Sequence, residues 1–300
     1  MKKAMTLHSN PHEASPKIGV LLTGGRKSLG GQGLSDAPMK LKNILTKTSL
    51  KSIGATLGMS VRIVNGRLCV RPLLPRPLWS LRLSAKSSFC RAAVQSGLLT
   101  HRQMVHAAWR YRLGRSKDDA VIYWQMDQLG QIHDGKLMWY GPDCHRLKHR
   151  NATWVLYLLK QHFGIPQNAF QPTHCLFGLH LLTSALRHRT STICIVEAEK
   201  SAVILSELYP QYIWLAPGGL EALRPEQFFP LRHQKVVLFP DTDPDGKAFR
   251  RWYQVADLVM HAFFWPKDNP IRVSPVLELH ATDDQKRRKI DLIDFLFEKT

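Results

Sequence analysis

The chain has 300 residues, 44% of them hydrophobic, with 42 Lys/Arg against 23 Asp/Glu, a formal charge of +19. That apolar content is ample for a packed core, and the length suits two domains at about 100–200 residues each. No run reaches about 18 apolar residues and MKKAMTLHSNPHE has no apolar segment, so neither a membrane span nor a signal peptide is expected and a cytoplasmic location is.

The charge is unevenly placed. Residues 1–120 hold 21 Lys/Arg against four acids, a net +17, whereas residues 121–300 hold 21 against 19, a net +2. A basic half joined to a nearly neutral half reads as a polyanion-binding arm on a globular body, with DNA as the expected partner. Residues 1–40, rich in Gly, Ser, Lys and Pro, have no sustained period and read as disordered or loosely attached. Within them Gly19–Ser28 approaches a Walker loop but carries Gly25 where the lysine is required, so no nucleotide is assigned to it.

Over 47–68, Leu50, Ile53 and Leu57 share a helical face, Gly58 marks a turn, and Val61, Val64 and Leu68 form a second stripe. This is the spacing of a helix-turn-helix whose second helix presents Arg62, Asn65 and Arg67, or of an ordinary helical hairpin. The basic arm is taken as 1–80, ending in the proline-rich RPLLPRPLWS. Residues 84–114 then predict two helices. The first opens on a serine cap, and the second has Thr100 and Gln103 in capping-box spacing. The second packs Met104, Ala108 and Leu113 inward and carries Arg110, Arg112 and Arg115, which could meet phosphate or be solvated.

From residue 120 the period changes. AVIYWQMD, QLGQI and GKLMWYG predict a β-hairpin or meander, followed by a helix over 152–163. Strand and helix then alternate: TICIVE, AEKSAVILSEL, YIWLAP, GGLEAL, KVVLFPD, GKAFRRWYQVADLVM, a last strand IRVSPVLEL, and a helix near 284–298. Such alternation builds a mostly parallel sheet flanked by helices. Of the five cysteines, Cys69, Cys90, Cys144, Cys175 and Cys194, none forms a CxxC pair, which argues against a zinc ribbon or redox dithiol. A site stitched from Cys144, His145, His149, His174 and Cys175 would need two loops to meet.

Ligands of parallel α/β sheets sit beyond the carboxyl ends of the strands. Glu197 ends the first apolar run, Asp241 ends the third, and Asp243 and Asp245 follow. An unpaired carboxylate there is expensive to desolvate, and a hard divalent cation removes the difficulty. The alternative is that DTDPDG is a polar turn with a helix cap.

The set VEAEKSA, APGGLEAL and FPDTDPDGKA resembles the Toprim domain shared by bacterial primases, topoisomerases, nucleases and recombination proteins. The upstream hairpin and LFGLHLL are similar to the segment before Toprim in primase-like proteins, and the closest resemblance is to primase-related proteins of Bacteroides-type mobile elements. The resemblance spans 88–298. It implies a primase-like helical and β subdomain over 84–185 and a Toprim domain over 186–300. It further implies Glu197 as acid/base or co-ligand, Asp241 and Asp243 on Mg2+ (or Mn2+), with Asp245 beside them. Lys200, Gly218 and Gly219 would line the cleft, Lys200 either meeting phosphate or being a solvated helix lysine, and Lys136 is a candidate phosphate ligand with Arg146, Lys148 and Arg150. The implied activity is nucleotidyl transfer on single-stranded or template DNA, with a helicase or another mobile-element replication or mobilisation protein as partner. A nuclease or nicking enzyme and a catalytically inactive DNA-binding module are the alternatives. The zinc ribbon of many primases has no counterpart here.

With most of the net charge in the first 120 residues, counterion release should make DNA binding steeply salt-dependent. Deletion of residues 1–83 is expected to flatten the slope of log affinity against log salt, read by anisotropy of a labelled oligonucleotide. An unchanged slope would show that the arm is not the binding surface.

Overall fold

A computed structural model of the chain describes residues 59–64, 67–72, 84–162, 164–168, 173–182, 192–232 and 234–298. Strands β1 (Met59–Val64) and β2 (Arg67–Pro72) pair antiparallel, Val64 opposite Arg67. This corrects the helix-turn-helix reading over 59–68: Arg62 and Arg67 lie on strands, while Asn65 and residues 47–58 lie outside the described residues. The reason is in the sequence. MSVRIV and RLCVRP are rich in Val and Ile, and the intervening Asn-Gly is the strongest short hairpin signal.

Helices α1 (Ser88–Gln95) and α2 (His101–Arg110) follow as expected. Ser87 accepts from the Cys90 amide, and Thr100 and Gln103 complete the reciprocal capping box. Strands β3 (Gly114–Arg115), β4 (Val121–Met126), β5 (Ile132–Met138) and β6 (Thr153–Trp154) form an antiparallel sheet in that order. The helix expected over 152–163 is α3 (Val155–His162), preceded by the two residues of β6.

The second sheet is parallel. Its strands are β7 (Ile193–Val196), β8 (Ile213–Leu215), β9 (Val236–Phe239) and β10 (Arg272–Val273), in the order β10-β9-β7-β8. Helix α4 (Glu199–Leu208) links β7 to β8 on one side, and α5 (Lys247–Ala262) links β9 to β10 on the other. The connections leaving β7 and β9 therefore run in opposite directions, which makes the gap between their carboxyl ends a topological switch point. The strands alternate between two cores. Cys194, Val196, Trp214, Val237 and Phe239 face α1, α2 and α4, whereas Ile193, Ile195, Leu215, Val236 and Leu238 face Trp252, Val255 and Val259 of α5. Apolar strands buried on both faces are what a parallel sheet covered by helices requires.

The first of those cores continues into the antiparallel sheet. Tyr111 stacks on Phe177 at 5.2 Å, and its hydroxyl donates to the Trp214 carbonyl at 2.8 Å. Phe177 forms a bridge with Ala216, so the segment before β7 is sewn to the end of β8.

Two expectations near the C-terminus are corrected. IRVSPVLEL is a strand only at Arg272–Val273, since Pro275 cannot donate to a ladder and instead precedes helix α6 (Val276–His280). The single helix near 284–298 is two, α7 (Asp283–Arg288) and α8 (Leu292–Phe297), separated by Lys289 at φ 55°. Asp291 restarts the chain as the cap of α8, accepting from the Ile293 and Asp294 amides at 2.8 and 2.9 Å. It also accepts from Ser201 Oγ at 2.9 Å and pairs with Lys200 Nζ at 3.2 Å. Burial alone would raise its carboxyl, but Lys200, the Asp294 amide and Ser201 overcome this and hold it below the usual range.

Asp291→Ala would leave the half-buried Lys200 ammonium without its closest acceptor and remove the α8 cap. Breaking such a pair from one side costs about 3–5 kcal/mol, which urea unfolding would read. The double variant Asp291→Leu with Lys200→Met is expected to be the more stable of the two. A loss under about 1 kcal/mol, the size of a cap alone, would show that the ion pair contributes nothing.

Candidate active site

The carboxyl ends of β7 and β9 open into a cleft of about 690 Å³ lined by Glu197, Asp241, Asp243 and Asp245. Glu197 follows the wholly buried Ile193–Val196, and Asp241 follows Val236–Phe239 and Pro240. The register pairs Val196 with Phe239, so the two acids emerge side by side. Burial raises the Asp241 carboxyl well above its ordinary value, and the charges of Glu197 and Asp291 raise it further, against Lys200. Glu197 is also raised, by burial first and by Asp291, with the Leu220 amide and Lys136 pulling the other way.

Asp243 behaves differently. Its Oδ1 accepts from the amides of Asp245 and Lys247 at 3.0 and 3.1 Å, and its Oδ2 from Ala248 at 2.8 Å. Burial opposes its charge, but these amides at the start of α5 hold it below the usual range. Asp245 is exposed and pairs with Lys247 at 2.9 Å. The four acids expected to converge on a metal thus divide: Glu197 and Asp241 stay raised despite the Leu220 amide, Lys136 and Lys200, while Asp243 caps a helix and Asp245 turns to a lysine. Among the described residues no group of three His, Cys, Asp or Glu side chains is arranged to hold a metal ion. That applies equally to the cysteine–histidine set, where burial pushes the Cys144 and Cys175 thiols up to about 12.

The donor chemistry still fits one kind of ion. Mg2+ is commonly held by one or two carboxylates plus waters and substrate phosphates. Two carboxylates raised chiefly by burial, Asp241 further by Glu197, with the buried Thr242 hydroxyl between Asp241 and Asp243 lacking a partner among the described residues, match that open type of site.

The glycine turn after β8 closes one wall. The Gly218 amide donates to the Glu197 carbonyl at 3.1 Å, with Gly218 at φ +91°. A Cβ there would stand 2.5 Å from Glu199 Oε1, so the missing side chain leaves room for an ion pair. Lys136 reaches across from β5 to fill it, donating to Glu199 Oε2 at 3.1 Å and to the Gly218 carbonyl at 2.6 Å. Gly219 lines the same wall.

Exposed Arg146, Lys247 and Lys289 complete the lining. Lys247 and Lys289 were not anticipated from the sequence; Lys289 is brought in by the left-handed turn after α7. Lys200, expected to meet phosphate, lies outside the lining and pairs its ammonium with Asp291, remote in sequence but adjacent in space. Arg110, Arg112 and Arg115 also lie outside it; Arg115 pairs with Asp119 at 2.7 Å. Asp134, Glu199 and Asp291 are buried acids that sequence reading missed. Asp291-x-x-Asp294 before an apolar run is a capping-box pattern that would have placed a helix start there.

Residues 90–242 match the family described as a domain of unknown function, DUF6371, and the chain belongs to that family. No curated protein matches it. Among solved structures it is similar to the primase fragment of the bacteriophage T7 primase-helicase protein, at 17% identity and a TM-score of 0.37, covering 60% of this chain and 66% of that one. It is also similar to the RNA polymerase domain of Mycobacterium tuberculosis primase DnaG, at 13% identity and a TM-score of 0.41 over 82% of this chain and 83% of that one. The E. coli primase catalytic core gives 11% identity and a TM-score of 0.34 over 89% and 77%. No helix among the described residues is long and apolar enough to cross a membrane.

Both raised carboxyls favour their protonated forms in the folded state. Their contribution to stability is therefore fully present below the unfolded carboxylate range, about pH 4, and is lost as pH rises through the folded values. Without divalent cations the melting temperature should fall over that window, and Asp241→Asn should flatten the fall and melt higher than the parent at neutral pH in EDTA. Mg2+ should stabilise the parent and not the variant. Parallel pH profiles for the two proteins in EDTA would refute the repulsion.

Proposed function

We propose that the chain is a Toprim-type, primase-like nucleic-acid enzyme that carries out nucleotidyl transfer on DNA with Mg2+ or Mn2+ bound at Glu197 and Asp241. The observation that carries this reading is the side-by-side emergence of these two raised carboxylates at a topological switch point, ringed by exposed cations. The order of VEAEKSA, APGGLEAL and FPDTDPDGKA along the chain supports the Toprim assignment, with 84–185 as the preceding subdomain and 186–300 as the Toprim unit. A bound divalent cation would supply charge neutralisation at the reacting phosphate and activation of the attacking oxygen.

The chain's own residues do the rest. Arg146, Lys247 and Lys289 attract and orient phosphate groups at the mouth of the cleft. Glu197, raised by burial, can hold and release a proton nearer neutrality than an ordinary glutamate, as an acid/base group requires. Asp243 anchors the α5 amides so that Asp241 keeps its place, and Lys136 fixes the Gly218 carbonyl against Glu199. DNA is the partner, single-stranded or as template, with a helicase or another mobile-element protein delivering it.

One observation favours a second reading. With Asp243 engaged by three amides, two carboxylates are left, enough for a single cation, and this suits phosphodiester hydrolysis or nicking as well as transfer.

The test incubates the full chain with single-stranded DNA, labelled nucleoside triphosphates and Mg2+ or Mn2+. New oligonucleotides support transfer, and a shortened template supports the second reading. Asp241→Asn should reduce either activity by about 100-fold or more, and Glu197→Gln by about 100- to 10,000-fold with part of the stabilisation by Mg2+ lost. Retention of DNA with no turnover, or full activity in Asp241→Asn, would overturn the enzymatic reading.

A further inference from the structure

A feature beside the cleft is used by nothing above. Trp154, on β6, stands directly opposite Lys136 in the β5–β6 ladder, and directly paired residues of antiparallel strands project to the same face. The indole therefore leaves the sheet on the side from which Lys136 reaches Gly218 and Glu199. His174 lies flat on it, ring centroids 4.2 Å apart and planes 23° apart. Its Nε2 is buried 3.5 Å from Asp134 Oδ2, beyond a good hydrogen bond, and has no hydrogen-bond partner among the described residues. Asp134 is buried, and its Oδ1 is fixed by the amides of Gly135 and Leu156 at 2.7 and 3.0 Å. A fixed, buried carboxylate thus lies behind the imidazole, and the imidazole lies flat on the indole.

The stacked pair Tyr111–Phe177, which serves packing, is fully buried. This one is not: Trp154 is half-buried, and His174 keeps 32% of its side-chain surface exposed. The sheet face is also polar where packing alone would make it apolar. Gln125, opposite Asp134 and 1% exposed, has neither amide atom partnered among the described residues. A rigid, open aromatic pair with polar neighbours, next to a cleft lined by phosphate-binding cations, matches the two halves of a nucleotide.

We propose that Trp154 and His174 form a stacking ledge for a nucleobase whose phosphate lies in the Glu197–Asp241 cleft. The proposal rests on the nucleic-acid reading above and adds the half of the ligand that the charged cleft leaves unbound. Any base has a π-face, so the ledge holds bases without selecting among them. The base can belong to a bound strand or to a free nucleotide.

Anisotropy of labelled oligo(dT), of an abasic oligomer of equal length, and competition by ATP separate these sources in the full chain. Trp154→Ala should weaken oligo(dT) binding by about 5- to 100-fold, Trp154→Phe should restore most of it, and the abasic oligomer should bind parent and Trp154→Ala alike. Weakening confined to ATP would support the ledge and assign the base to the free nucleotide. The ledge is overturned if Trp154→Ala matches the parent on both ligands, if it weakens the abasic oligomer as much as oligo(dT), or if the parent binds neither. Trp154-dependent binding without metal-dependent turnover would keep the ledge and remove the enzymatic reading.

Discussion

The register of β7 against β9 is the constraint on which the site depends. Pairing Val196 with Phe239 forces the next free carboxylates, Glu197 and Asp241, into one small space. The lysines near enough to neutralise them are already committed. Lys200 is held by Asp291, and Lys136 by Glu199 and the Gly218 carbonyl. The negative potential is therefore maintained by the fold's own ion pairs. A site kept short of countercharge in this way suits an external cation, which would relieve repulsion without a cage of ligands built in advance.

The DTDPDG segment illustrates how one turn serves two purposes. Sequence reading offered metal ligation or helix capping as alternatives, and the structure divides them between neighbours. Asp243 takes the amides of Asp245, Lys247 and Ala248 and is stabilised as the anion. Asp241, two residues earlier, has no such donors and is raised instead. The same residue type in the same turn acquires opposite electrostatics because only one of the two faces the amino-terminal end of α5.

Much of this architecture was legible from periodicity. The short apolar runs ICIV and VVLF, each bounded by polar residues and followed by a helical stripe, could be read as buried parallel strands. Thr100 and Gln103 announced their helix through local chemistry alone. The misses have a common origin in partners that are remote in sequence. Nothing local to Lys200 reveals that Asp291 will meet it, so a buried countercharge looked like a free phosphate ligand. Lys289 enters the cleft because α7 ends in a left-handed residue, a detail of termination that a continuous helical stripe conceals. The error over 59–68 was one of period: Val61, Val64 and Leu68 fit a helical stripe, yet Val and Ile flanking an Asn-Gly pair weighed more.

The antiparallel sheet is more than a neighbour of the site. Lys136 comes from β5, and without it the wall formed by Gly218 would present an unneutralised Glu199. Tyr111, buried between the sheets, ties α2 to the carbonyl of Trp214 on β8, so the position of β5 relative to the parallel sheet is set by a shared core rather than by the cleft itself. The electrostatics of Glu197 and Asp241 are consequently a property of both sheets together. Removing residues 84–185 would strip Trp214 and Phe177's partner Ala216 of their cover and take the cleft's one buried lysine with it. Such a cut would leave the acidic pair in place but remove the balance of charge set by Lys136 against Glu199 and the Gly218 carbonyl.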